Sequence, residues 1–299
     1  MNEMTESLIH GLATHGNAWI AITKGEDIMF RALIAALAAC LFMSAPSRAL
    51  AQDPVMDVVQ KMKDVFEPVR PSTRQVAITM TAGGETNHWV ARQAMKQFPD
   101  GKRMLMVMVE PNEVKGNAYV IWEPKDKPSA IWTYLPFLRR VRELLGVDAY
   151  EHFLGTDFTY ADLGFVRLHP HYRLLGEEDH GGKKTYKIEE SVPTERAYYS
   201  RVITWVSQDS MLPVQRDYYD VAGNLWKTET FEEAVIDGVP TPIRIQMKDL
   251  QGKSSTEIRV SDVRYDVEVP DALFDPVQLP TAASSPVWQS SSALAIKSQ

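Results

Sequence analysis

Lys102-Arg-Met-Leu-Met-Val-Met-Val109 is the stretch on which the fold turns. Read with a period of two, it places Met104, Met106 and Met108 on one face and Leu105, Val107 and Val109 on the other. A strand that is apolar on both faces is covered on both sides. Methionine is unbranched and polarisable, and suits a surface that accepts varied apolar shapes. The same period continues outward. Residues 74–80 alternate with Val76, Ile78 and Met80 on one side, and 88–98, 116–122 and 129–135 read as further strands. Downstream come 172–177, 185–190, 199–206, 214–219, 225–235, 241–248 and 256–263. The breaks between them carry turn residues: Gly83-Gly84, Pro99-Asp-Gly101, Gly181-Gly182, Asp237-Gly238 and Gln251-Gly252. Short turns of this kind make an antiparallel meander. About eleven strands in succession curl into a barrel or half-barrel rather than stay flat.

Two segments depart from this period. Asp53-Pro54 is an N-cap followed by proline at the first helical position, and Val55, Val58, Val59, Met62, Val65 and Phe66 then share one helical face up to Pro68. Between Pro136 and about Gly164 the meander is interrupted. There Phe137, Leu138, Val141, Leu144 and Leu145 predict a short helix with Arg139, Arg140 and Arg142 on its other side and a stop at Gly146. From about Thr281 the chain is rich in Ser and Ala and reads as a disordered tail, so 52–280 is taken as one domain.

The N-terminal segment predicts export. Met29-Phe-Arg31, an apolar run from Ala32 to Met43 and an Ala-x-Ala motif ending at Ala51 together form a cleavable signal peptide. The run is shorter than the roughly 20 residues that span a bilayer. Glu26 and Asp27 put acid where a positive flank belongs, which points to Met29 as the start and sets 1–28 apart. A rival reading takes Leu37-Ala-Ala-Cys40 as a lipobox, although the apolar run continues past it through Leu41, Phe42 and Met43. Cleavage after Ala51 discards the one cysteine of the chain, and with it any disulfide or thiol chemistry.

Thirty-two basic residues against 39 acidic ones give a net charge of −7, which offers no footprint for nucleic acid and no polybasic membrane patch. The chain has no G-x-S-x-G, no H-E-x-x-H, no glycine-rich phosphate loop and no CxxC, so it is expected not to be an enzyme and to need no cofactor. His169-Pro-His171 lacks a third metal ligand nearby, and Asp157, beside Gly155-Thr156, reads as a turn or cap residue rather than half of a carboxylate pair. Trp89, Trp122, Trp132, Tyr134, Trp205 and Trp226 add bulk from other strands. Either these residues and the methionines are the core of a sheet packed under two helices, or the curved sheet leaves an apolar cavity that its side chains cannot fill.

Trp132-Thr-Tyr-Leu-Pro-Phe-Leu-Arg-Arg-Val-Arg142, followed by Phe153-Leu-Gly-Thr-Asp-Phe-Thr-Tyr-Ala-Asp-Leu163, resembles the LolA-like outer-membrane lipoprotein-sorting proteins. Pro111 to Gly116, Tyr218-Tyr-Asp-x-x-Gly-x-Leu-x-Lys227 and Asp271-Ala-Leu-Phe274 fit the same order, and the likeness covers about 70–279. The resemblance implies an incomplete antiparallel β-barrel closed by short helices around an apolar cavity. It also implies a monomeric periplasmic carrier of the acyl chains of lipoproteins or lipids toward the outer membrane. The alternative is an accessory or sensor domain working with an inner-membrane RND-type transporter or an envelope-stress system. On this reading Met104, Met106, Met108, Trp122, Trp132 and Tyr134 form the cavity wall, and Phe137, Leu138, Val141 and Phe153 its lid. Arg139, Arg140 and Arg142 contact a headgroup or partner, or are simply a solvated face. The chain departs from the family in 143–152, an apolar stretch where a short Ser-rich link is usual.

Overall fold

The computed structural model describes residues 53–66, 69–145, 149–166, 168, 170–192 and 198–289. The expected signal peptide, Cys40, Gly146, His169 and the last ten residues lie outside them. No helix among the described residues is long and apolar enough to cross a membrane.

The chain opens with α1 (Pro54–Phe66), where Asp53 Oδ1 accepts a hydrogen bond from the Val55 N–H at 3.1 Å. One meander follows: β1 (Ser72–Ala82), β2 (Glu85–Phe98), β3 (Gly101–Glu110), β4 (Ala118–Pro124), β5 (Ala130–Leu135) and β6 (Arg140–Glu143). A second runs through β7 (His171–His180), β8 (Lys183–Ser191), β9 (Arg201–Ser207), β10 (Pro213–Tyr219), β11 (Leu225–Ile236), β12 (Val239–Asp249) and β13 (Ser254–Tyr265). All thirteen strands join one antiparallel sheet in the order β6-β5-β4-β3-β2-β1-β13-β12-β11-β10-β9-β8-β7. The meanders meet at the β1–β13 seam, where Ile78 lies opposite Ile258. The sheet stays open, with β6 and β7 as its edges: an incomplete barrel, as the sequence pattern and the resemblance lead one to expect.

The chain must travel from one edge to the other between β6 and β7, and it does so across the inner face of the sheet. Phe153, Tyr160 and Phe165 of this crossover pack with Met104, Met106 and Met108, while Phe158 packs with Val76, Ile78, Met247 and Ile258. The adjoining part of the inner face is covered by α1, whose Val55, Val58, Val59 and Met62 bury against Ile188 and Val206.

Strand β6 replaces an expected helix. After β5 the chain turns back at once: Leu138 N–H and Arg139 N–H donate to the Leu135 carbonyl at 3.0 and 3.1 Å, and Arg139 takes a φ of 49°. Residues 140–143 then pair with β5, with Val141 opposite Tyr134 and Arg142 opposite Thr133. The stretch from Thr281, expected to be disordered, is folded as far as Trp288. Asp271–Phe274, Pro276–Ser284 and Pro286–Trp288 are 3₁₀ turns, the last two opening on proline, and they lie over the outer face of β3 and β4. Phe274, Leu279 and Ala282 bury there against Leu105, Val107 and Val120, which supplies the second cover that the doubly apolar strand β3 requires.

Candidate functional site

The inner face is built from cross-strand pairs. Met104 stands opposite Met95 on one side and Ile121 on the other, Met106 opposite Gln93 and Tyr119, and Met108 opposite Ala91. Two of the thioethers receive donors: Gln93 Nε2 lies 2.7 Å from Met104 Sδ, and Arg74 Nη2 lies 3.1 Å from Met95 Sδ. Over these residues the crossover lays an aromatic cluster in which Phe153 meets Tyr160, Phe165 and Tyr119 edge to face, with centroids 5.5, 5.2 and 6.3 Å apart. A cavity of about 140 Å³ remains between Met95, Met104, Met106, Phe153, Phe165 and Ile258. Its wall also includes Arg74, Lys102 and Glu229.

A second cavity of about 190 Å³ lies under α1, lined by Met62, Lys63, Tyr172, Glu190, Tyr199 and Arg216 among others. Phe66, Asp162 and Leu163 line both cavities, so the two adjoin.

Between them lies a buried polar network. Arg216 and Glu229 are directly opposite on β10 and β11, with Nη1 3.3 Å from Oε2, and the Tyr218 hydroxyl donates to the same carboxylate at 2.6 Å. Burial pushes the Glu229 carboxyl up, against the pull of Arg216. Asp162 accepts from the Thr159 N–H at 2.8 Å and the Tyr199 hydroxyl at 3.0 Å, and burial raises it too. Lys227 is fully buried, donates to the Asp157 carbonyl at 2.7 Å, and is held below the usual lysine range by that burial. The Asp157 carboxylate accepts from the hydroxyls of Ser254 and Thr256, which ties the crossover to β13. None of these network residues was singled out as a ligand contact from the sequence. The signal was there in the strand pattern, since Arg216 and Glu229 occupy positions that alternate with outward-facing residues.

The expected wall is split by the sheet. Met104 and Met106 line the first cavity, and Met108 and Phe153 belong to the same inner cluster. Trp122, Trp132, Tyr134 and Val141 are on the outer face, packed under the C-terminal turns; Trp122 Nε1 donates to the Phe274 carbonyl at 2.8 Å. The reason is parity. Ile121 pairs with Met104 and Ile131, so the next residue along, Trp122, points the other way. Nor do Phe137 and Leu138 form a lid. They sit at the tip of the β5–β6 hairpin, 78% and 39% exposed, beside the exposed Arg139, Arg140 and Arg142. The covering role falls to α1 and to Phe153 with its crossover neighbours.

Residues 100–281 match the profile of a family described as an uncharacterized protein. The structure is similar to that of a DUF1329 family protein from Desulfovibrio piger, with a TM-score of 0.69 and 28% identity over 76% of this chain and 100% of that one. A domain described as an outer membrane lipoprotein-sorting protein, from Vibrio parahaemolyticus, gives a TM-score of 0.68 at 22% identity over 75% and 97% of the two chains. A LolA superfamily protein from Nitrosomonas europaea gives 0.57 at 21% identity over 74% and 97%. No curated protein matches the chain.

Proposed function

We propose that this chain, whose fold is LolA-like, is a non-enzymatic carrier that takes an acyl chain into its interior. The observation that carries this reading is the methionine face of β3, roofed by the aromatic crossover and still holding a cavity. Each methylene moved from water into such a space contributes about 0.8 kcal/mol, so a long tail supplies useful affinity without a covalent step. The signal-like segment 29–51 supports a periplasmic setting, in which a monomer moves acylated cargo toward the outer membrane.

Titration with a fluorescent fatty acid tests the proposal. The folded protein is expected to bind the probe in a saturable way, and Met106→Trp, which fills the cavity, to abolish binding while the fold persists. A folded wild-type protein that takes up no probe overturns it.

One observation favours a second reading, an accessory or sensor domain docked on a membrane transporter. Phe137 and Leu138 project at an exposed hairpin tip together with Arg139, Arg140 and Arg142 on a chain that is acidic overall.

A further inference from the structure

The cavity under α1 is unlike its neighbour in the charge it carries. Lys63, Arg201 and Arg216 line it together with Glu190 and Asp162. Asp162 is satisfied within the fold by Thr159 and Tyr199, and Arg216 is engaged on one side by Glu229. Glu190 is different. It lies opposite Tyr172 on β7 and Val202 on β9, within electrostatic reach of Arg216 and Lys63, yet no described residue donates a hydrogen bond or forms an ion pair to it. Lys63 and Arg201 likewise have no carboxylate partner among the described residues; their ammonium and guanidinium lie over the rings of Tyr172 and Tyr219, at 5.4 and 3.9 Å. Opposite charges therefore face one space without closing on one another. Keeping a sequestered charge unmatched is costly, and burial already drives the Glu190 carboxyl toward its neutral form.

A bound anion would match Arg216 and Lys63 and leave Glu190 opposed by like charge. A bound cation would match Glu190 and leave the basic pair unanswered. A head bearing both charges answers all three groups. The two cavities adjoin at Phe66, Asp162 and Leu163, so a molecule can occupy both. We propose that the cavity under α1 is a headgroup subsite for a zwitterionic amphiphile. The anionic group of the head faces Arg216 and Lys63, its ammonium faces Glu190, and its tail runs into the methionine cavity. This rests on the acyl-carrier reading and specifies its cargo.

Displacement of a bound fluorescent fatty acid by lysophosphatidylethanolamine and by lysophosphatidylglycerol of equal chain length isolates the ammonium, since both heads carry the same phosphodiester. The zwitterionic lipid is expected to bind at least about tenfold more tightly, a difference of about 1.4 kcal/mol. Glu190→Gln is expected to erase that preference, with a urea midpoint no lower than wild type. Equal affinity of the two lysolipids, or tighter binding of the glycerol form, overturns the subsite while the carrier reading stands. Calorimetry with phosphoethanolamine alone is expected to show far weaker binding; affinity equal to that of the lysolipid would mark a site for a soluble zwitterion and overturn the amphiphile. A protein that never binds the fluorescent fatty acid removes the carrier reading itself.

Discussion

The Lys227 ammonium on β11 donates to the main-chain carbonyl of Asp157 at 2.7 Å, in a place where neither residue is exposed. This bond, with those from Ser254 and Thr256 to the Asp157 carboxylate, fixes the middle of the crossover to the second meander. Lys227→Met leaves the carbonyl without its donor but also removes a buried charge. The expected cost is about 1–3 kcal/mol by urea unfolding. Amide exchange is expected to accelerate in residues 153–165 before it does so in β3.

Met106 is 3% exposed and lines the methionine cavity. Met106→Ala is expected to cost about 2–5 kcal/mol, because lost packing adds to the enlarged void. Calorimetric or urea melts measure that cost, and probe titration shows whether the larger space still grips a chain.

Trp122 is on the far side of the sheet, its ring tilted against Trp132 with centroids 4.8 Å apart and its Nε1 donating to the Phe274 carbonyl. Trp122→Ala is expected to lower stability by about 3–5 kcal/mol and to loosen the C-terminal turns. Fatty-acid affinity is expected to stay at the wild-type value; a variant that folds but loses ligand would place Trp122 in the binding wall after all.

Burial raises the carboxyl of Glu190 above the value it has in the unfolded chain. The folded state therefore holds its proton more tightly, and the related stability is fully present below the unfolded pKa and lost as pH rises through the folded one. Glu190→Gln is expected to remove that share of the slope, so the variant gains on wild type as pH rises from 4 to 7. Urea midpoints across that range measure the difference.

Arg139 and Arg140 are solvent-exposed at the hairpin tip. Replacing both with Ala is expected to change stability by no more than about 0.5 kcal/mol and to leave probe binding intact. A pull-down from envelope membranes with and without the substitutions would then report on docking alone. Loss of folding would show that the arginines are structural.

Most of the sheet could be read from alternation, because Val76, Ile78 and Met80, or Met104, Met106 and Met108, repeat with a period that only a strand supports. β6 could not. Phe137, Leu138, Val141, Leu144 and Leu145 fit a helical face, while Arg140, Val141 and Arg142 fit a strand, and a four-residue element satisfies both periods. The backbone reversal at Arg139 decides between them. The face occupied by Trp122 depends on register with Met104, which the spacing of residues in one strand does not contain. The C-terminal cover was demanded by Leu105 and Val107 but is supplied by Leu279 and Ala282, far along the chain in 3₁₀ turns that follow neither the strand nor the α-helical period. Arg216 and Glu229 share one face of their strands, but their alternation does not say whether that face is covered. Only the cover that α1 and the crossover provide shows them to be interior.

The crossover both joins the two edges of the sheet and fills its hollow. Phe153 and Phe165 occupy the methionine face that a guest chain would need, so host segment and guest compete for one surface. Uptake then becomes an exchange of one apolar packing for another, and net affinity is the difference between them. On the carrier reading, such competition would make the grip self-limiting.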